Sequence, residues 1–139
     1  MDEELIIYCD GGSRGNPGPA ASAVVVTKNN KAIFSEGKYL GRATNNVAEY
    51  SAVLMAIQWL VKNQSEISNN IVTTINLDSQ LLEKQLNGFY KVKNEKMKMF
   101  FNEIVKLISV NRLNVKFVWQ YRHKNQKADN LVNKVLDQQ

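Results

Sequence analysis

Cysteine and histidine are almost missing from this chain of 139 residues, which holds one of each, Cys9 and His123. A lone cysteine excludes an intramolecular disulfide framework and a multi-cysteine zinc site. A lone histidine leaves too few ligands for a zinc-enzyme centre of the usual histidine-rich kind. No uninterrupted apolar run approaches the roughly 20 residues that span a bilayer, and the opening Met1-Asp2-Glu3-Glu4 is acidic where a secretory signal would be basic. Repeats, low-complexity tracts and interdomain linkers are lacking as well. These absences set the expectation of a soluble, cytoplasmic protein of a reducing compartment with no membrane partner. At 44% hydrophobic and 22% charged residues, the composition is that of a folded chain rather than a disordered tail. The length suits one domain over residues 1–139, since globular domains commonly run to about 100–150 residues.

What the chain has in excess is positive charge, unevenly placed. Eighteen Lys and Arg against thirteen Asp and Glu give a net charge of +5. Residues 1–80 carry a net −2 and residues 81–139 a net +7. A basic second half favours an anionic partner such as nucleic acid, without deciding any chemistry.

Hydrophobic periodicity divides the chain into nine elements. Leu5–Cys9 is a short apolar run that stops at Asp10 and a glycine pair, the pattern of a buried strand. A glycine-rich loop, Gly11 to Gly18, separates it from a valine-rich strand over residues 20–27, and a turn at Asn29-Asn30 leads to a third strand over 31–40. Three consecutive strands joined this way read as an antiparallel meander. From Asn46 to Lys62 the period changes: Val53, Ile57 and Leu60 at i, i+4 and i+7 predict a largely buried helix. A fourth strand over 71–77, a short helix over 79–86, a helix over 95–110, a fifth strand over 115–121 and a helix over 125–136 complete the order β β β α β α α β α.

Four acidic residues fall where these elements place active sites. Asp10 and Asp78 close the first and fourth strands, and in sheets with crossover helices ligands gather at the carboxyl ends of strands. Glu49 shares the inward face of Val53 and Ile57, and Asp129 precedes Val132 and Leu136 at i+3 and i+7 on the last helix. Each has a purely structural reading. Asn46-x-x-Glu49 fits a capping box, Asp78 an N-cap, Asp10 a turn residue, and Asp129 a favourable charge at a helix start. Together these readings lose, because converging carboxylates repel one another and resist common ionisation. A fold that gathers them holds a cation, and an all-oxygen set suits Mg²⁺ or Mn²⁺ rather than zinc.

Four blocks of sequence resemble type 1 ribonuclease H in the family's own order. They are Tyr8-Cys9-Asp10-Gly11-Gly12-Ser13-Arg14-Gly15-Asn16-Pro17-Gly18, Thr44-Asn45-Asn46-Val47-Ala48-Glu49-Tyr50, Asp78-Ser79-Gln80-Leu81 and His123-Lys124-Asn125-Gln126-Lys127-Ala128-Asp129. The resemblance covers nearly the whole chain. It implies an α/β, ribonuclease H-like fold with a mixed five-stranded sheet flanked by helices. It also implies an endoribonuclease that hydrolyses the RNA strand of RNA–DNA hybrids, leaving 5′-phosphate and 3′-hydroxyl ends. By similarity Asp10, Glu49, Asp78 and Asp129 match the family's metal-binding carboxylates. Two divalent ions roughly 3.5–4 Å apart would activate water and stabilise the leaving oxygen. That chemistry needs no covalent nucleophile, and no convincing Cys–His or Ser–His pairing is present; Cys9 alternates with Asp10 along its strand and reads as core. His123 corresponds to a loop histidine thought to aid proton transfer or product departure, a task suited to imidazole.

The same resemblance assigns substrate contacts. Gly11 and Gly12 let the backbone approach a sugar-phosphate closely, and 2′-hydroxyls are what tell RNA from DNA. Ser13, Arg14, Asn16, Asn46 and Gln80 are expected at hybrid sugars and base edges, with Asn45 near the DNA strand and Thr44 at one of its phosphates. Lys91 and Lys93 belong to a basic run with Lys84, Lys96 and Lys98, placed where many relatives insert a longer basic protrusion. The short connector here resembles the compact bacterial and archaeal subtype, and phosphate contacts of this kind position a duplex without reading its sequence. A monomer without an obligate protein partner is expected. Two other readings stand beside this one: a broader nuclease that also cuts double-stranded RNA or RNA–DNA junctions, and a non-catalytic hybrid-binding module. A nuclease domain of a larger polyprotein is a third, against which the acidic start and complete final helix suggest a free-standing protein.

Overall fold

Strand β2 (Gly18–Lys28) is buried along almost its whole length, and its two faces serve two different cores. Val24 and Val26 face the main core, whereas Ala21 and Ala23 face a smaller one. That double burial explains the near-continuous apolar run, which lacks the clean alternation of a one-sided strand. The computed structural model describes residues 4–68 and 70–139, so the acidic start Met1–Glu3 lies outside the described residues. Strand β1 (Leu5–Ser13) pairs antiparallel with β2, and β2 with β3 (Lys31–Ala43). Helix α1 (Asn45–Lys62) then leads to β4 (Thr73–Leu77), α2 (Gln80–Leu86), α3 (Glu95–Asn111), β5 (Val115–Trp119) and α4 (Gln126–Asp137). Parallel pairing of β1 with β4 and β4 with β5 completes a five-stranded mixed sheet in the order β3-β2-β1-β4-β5. The predicted order of elements and the antiparallel meander are both observed. Among the described residues no helix is long and apolar enough to cross a membrane.

Helix α1 lies in the main core against β1, with Tyr50, Val53 and Ile57 fully buried and α3 packed beside it. Burying each such side chain stabilises the fold by roughly 1.5–3 kcal/mol. Three alanines, Ala48, Ala52 and Ala56, are also fully buried and recur every four residues, so the helix presents a thin face to the sheet. At Gly11 the approach is so close that an added Cβ would lie 2.2 Å from the carbonyl carbon of Ala48. Helix α4 covers the other face of the sheet, with Ala128, Val132 and Leu136 buried at i, i+4 and i+8.

The element boundaries depart from the sequence reading in an informative way. The stretch from Gly11 to Gly18 is mostly hairpin, since β1 continues to Ser13 opposite Ala20 and only residues 14–17 lie outside the strands. Glycine at 11 is there because a helix backbone passes over it, not because the chain turns. The fourth strand begins at Thr73 rather than at residue 71, and the fifth ends at Trp119 rather than at 121, giving way to a 3₁₀ turn over Arg122–Asn125.

Candidate metal centre

Parallel strands β1 and β4 stay paired only as far as Tyr8 and Asn76. Two residues beyond that pair come Asp10 and Asp78, where β1 continues beside β2 and β4 has ended. The strands thus part around a crevice at their carboxyl ends, the usual place for a site in such a sheet. Glu49 reaches the crevice from α1. One carboxylate oxygen each from Asp10, Glu49 and Asp78 lie within 4.8 Å of one another. Asp129, on the first turn of α4, lines the same cleft and shares a side-chain hydrogen bond with Asp10.

The helix caps leave these carboxylates uncommitted. Thr44 caps α1 by accepting from the Val47 amide at 3.2 Å, so the Asn46-x-x-Glu49 capping box does not form. Ser79 caps α2 by accepting from the Leu82 amide at 3.2 Å, a role the sequence also offered to Asp78. The Ser79 hydroxyl in addition donates to Glu49.

Burial and crowding set the electrostatics. Burial, then the charge of Asp78, the hydrogen bond and charge of Asp129 and the charge of Glu49, push the Asp10 carboxyl up to about 9. Glu49 is pushed up to about 8, by burial first and the charge of Asp78 second, with Ser79 and Arg122 opposing. The buried Oδ2 of Asp78 has no hydrogen-bond partner, and Arg122 Nε stands 3.6 Å away. A buried carboxylate oxygen without a donor is costly unless a cation faces it. Hard oxygen donors, mutual repulsion and an unsatisfied oxygen together fit divalent ions of the Mg²⁺ or Mn²⁺ kind.

Two residues at this site escaped the sequence reading. Arg122 lines the cleft beside Asp78, yet nothing local distinguishes it from the other basic residues of its half of the chain. Asn125 is fully buried, and its Nδ2 donates to the Cys9 carbonyl at 2.7 Å, tying the start of α4 to the strand that carries Asp10. Both contacts join residues far apart in the chain. Cys9 itself is buried in the main core, as expected, and burial pushes its thiol up.

The residues expected at substrate fall at several distinct places. Gly11, Gly12, Ser13, Arg14 and Asn45 line the acidic cleft. Asn16 belongs to a network that joins the hairpin to α1, and Thr44 caps that helix. In that network Asn45 Oδ1 accepts from the Ser13 amide and hydroxyl at 2.8 and 3.1 Å, and the Asn45 amide donates to Asn16 Oδ1 at 3.0 Å. Arg14 is held by an ion pair to Asp137 at the end of α4. Asn46 is half-buried on α1 and Gln80 exposed at the start of α2. Lys91 and Lys93 are exposed on the α2–α3 connector, next to the exposed aromatics Phe89 and Tyr90. His123 stands apart. It is exposed, its ring stacks on Tyr121 with centroids 5.8 Å apart, and it lines a different depression from the acidic cleft.

Residues 8–135 match the reverse transcriptase-like family model. A bifunctional protein of Mycobacterium tuberculosis is 36% identical over 136 residues, covering 96% of this chain but 36% of its own length. This chain thus spans about a third of the first curated relatives it matches. A ribonuclease H of Pseudomonas fluorescens is 30% identical over 152 residues, covering 99% of this chain and 95% of its own. Among solved structures, LC11 ribonuclease H1 in complex with an RNA/DNA hybrid superposes with a TM-score of 0.91 at 38% identity, covering 97% of this chain and 98% of that one.

Proposed function

We propose that this chain, which belongs to the ribonuclease H family, hydrolyses the RNA strand of RNA–DNA hybrids and leaves 5′-phosphate and 3′-hydroxyl ends. The observation that carries the reading is the convergence of Asp10, Glu49 and Asp78 within 4.8 Å, with Asp129 hydrogen-bonded to Asp10. The likeness to a ribonuclease H1 solved with its hybrid supports the substrate class. Asp10, Glu49, Asp78 and Asp129 would hold two divalent cations, Mg²⁺ or Mn²⁺. Bound there, the ions supply Lewis-acid activation of water and charge stabilisation at the leaving oxygen.

The protein's own groups prepare that chemistry. The ends of β1 and β4, the second turn of α1 and the first turn of α4 fix the four carboxylates at separate places of a rigid frame, which preorganises the site. Arg122 offsets part of the charge of Asp78 on one side, and the Ser79 hydroxyl steadies Glu49 on the other. Gly12 leaves open backbone along the cleft, where 2′-hydroxyls of an RNA strand would be read, while Gly11 lets α1 close over β1. Lys91 and Lys93 would hold the partner strand by its phosphates, and His123 would serve proton transfer or product departure from the neighbouring depression. Cleavage of labelled RNA–DNA hybrid, double-stranded RNA and single-ribonucleotide duplexes, each with Mg²⁺ and with Mn²⁺, tests the reading. Hybrid cleavage abolished by Asp10→Asn is the expected result. Hybrid binding without cleavage under any metal would make the chain a binding module instead, and efficient cutting of double-stranded RNA would make it a broader nuclease.

A further inference from the structure

A second depression opens beside the acidic cleft, and its chemistry is the reverse. Its walls include Tyr8, Thr27, Asn30, His123, Lys124 and Lys127. None of the residues lining it lines the acidic cleft, and among the described residues none is a carboxylate. Lys124 and Lys127 make no ion pair with any described residue, although the chain carries thirteen Asp and Glu. The walls therefore offer two ammonium groups, an imidazole, a phenol, a hydroxyl and three carboxamides, a set rich in hydrogen-bond donors whose only formal charges are positive.

The two depressions are held in fixed relation by two short pieces of chain. Tyr8 and Asp10 lie two residues apart on β1 and so project from the same face of the sheet, about 7 Å apart at ~3.4 Å per residue. On the opposite wall, Arg122 and His123 are consecutive in one 3₁₀ turn. Arg122 approaches Asp78 in the acidic cleft, whereas His123 lines the basic depression. A nucleic-acid strand laid over Asp10 would carry its neighbouring phosphate toward the basic walls.

We infer that this depression is a phosphate-binding subsite, one that takes a backbone phosphate of the nucleic-acid strand next to the phosphodiester at the acidic cluster. Its walls reject the divalent cations that the acidic cleft attracts, and its lysines are free to meet an anion. Such a contact fixes the register of the strand without reading its bases. It also gives His123 a partner, since an imidazole N–H can donate to a phosphate oxygen. The inference rests on the reading of the chain as a nuclease of nucleic-acid duplexes, and its test separates the two.

Binding of an RNA–DNA hybrid is measured in chelator by fluorescence anisotropy, and cleavage with Mg²⁺, for wild type and for Lys124→Ala/Lys127→Ala. A second double variant, Lys62→Ala/Lys106→Ala, removes equal charge elsewhere on the surface. The subsite predicts that the first pair raises Kd roughly tenfold near 0.1 M salt and lowers the salt slope by about one for each phosphate left without its lysine. It raises KM far more than it lowers kcat, and the second pair does neither. A hybrid with one methylphosphonate beside the cleavage point should bind wild type more weakly but should bind the Lys124→Ala/Lys127→Ala protein no differently from the native hybrid. Equal effects of the two lysine pairs, or an undiminished methylphosphonate penalty in the first, would overturn the subsite. Comparing cleaved product with and without its 5′-phosphate identifies the source, because tighter binding of the phosphorylated product with no methylphosphonate effect would assign the walls to the product end instead. Failure of wild type to cleave any duplex would sink the nuclease reading, while the binding measurements would still decide the subsite.

Discussion

At the scale of single residues, the site is a set of groups whose charges oppose one another until something neutralises them. Asp10→Asn removes one oxygen ligand and one charge while keeping the shape. It should lower hybrid cleavage by roughly a thousandfold or more, about 4 kcal/mol of barrier, in a steady-state assay with Mg²⁺. The same substitution should raise the melting temperature in chelator, since it relieves burial of a charge beside Asp78 and Glu49. The pH dependence has a definite sign. Asp10 at about 9 and Glu49 at about 8 bind protons more tightly folded than unfolded, from ordinary values of 3.8 and 4.5. Their contribution to stability is therefore fully present below the unfolded values and lost as pH rises through the folded ones. Thermal melts in chelator should show stability falling between pH 5 and pH 9, with a shallower fall in Asp10→Asn. Mg²⁺ should raise the melting temperature most at the alkaline end, where the carboxylates must otherwise ionise alone.

At the scale of elements, the decisive contact is that of β1 with α1. Gly11→Ala would drive a methyl group into the Ala48 carbonyl carbon 2.2 Å away and the Glu49 amide 2.4 Å away. It should cost about 3 kcal/mol in denaturant unfolding and weaken Mg²⁺-dependent cleavage by shifting Glu49. Gly12→Ala supplies the contrast. Its Cβ would meet only Val132 Cγ1, at an ordinary 3.7 Å, so its cost should stay within about 1 kcal/mol. This pair also marks what the sequence could and could not reveal. Periodicity separated strand from helix correctly throughout, because Val53, Ile57 and Leu60 can share a face only in a helix. Glycine was ambiguous, since a turn and a close backbone approach demand the same residue. The caps were ambiguous for a similar reason. Thr44 and Asn46 both offer suitable oxygens around the start of α1, and only the three-dimensional path of the chain selects Thr44. Arg122 and Asn125 were illegible, because their partners Asp78 and Cys9 lie 44 and 116 positions away.

At the scale of the whole molecule, the uneven charge of the chain becomes a spatial division. Three of the four carboxylates of the cleft come from the half with net −2, while the exposed lysines of the α2–α3 connector come from the half with net +7. The composition alone supported only an anionic partner; the ordered acids are what carry the proposal of a nuclease. Replacing Lys91, Lys93 and Lys96 with alanine should weaken hybrid binding uniformly across sequences and lower the salt slope by about one for each phosphate no longer neutralised. Titrating binding between low and moderate salt checks this, and an unchanged slope would return the cluster to ordinary surface.

Helix α4 behaves as a bar pinned at both ends. Near its start the Asn125 carboxamide holds the Cys9 carbonyl, and at its far end Asp137 grips Arg14 of the hairpin. At ~1.5 Å per residue, Asp129 rides about 6 Å from the near pin and Asp137 about 18 Å from it. A lever of these proportions divides motion unequally. Loosening the far pin lets the tip swing while Asp129 moves by about a third as much, whereas loosening the near pin carries about two thirds of that end's displacement to the carboxylate. The molecule has placed its buried, uncharged fastening close to the chemistry and its exposed, salt-sensitive one where slack does the least harm.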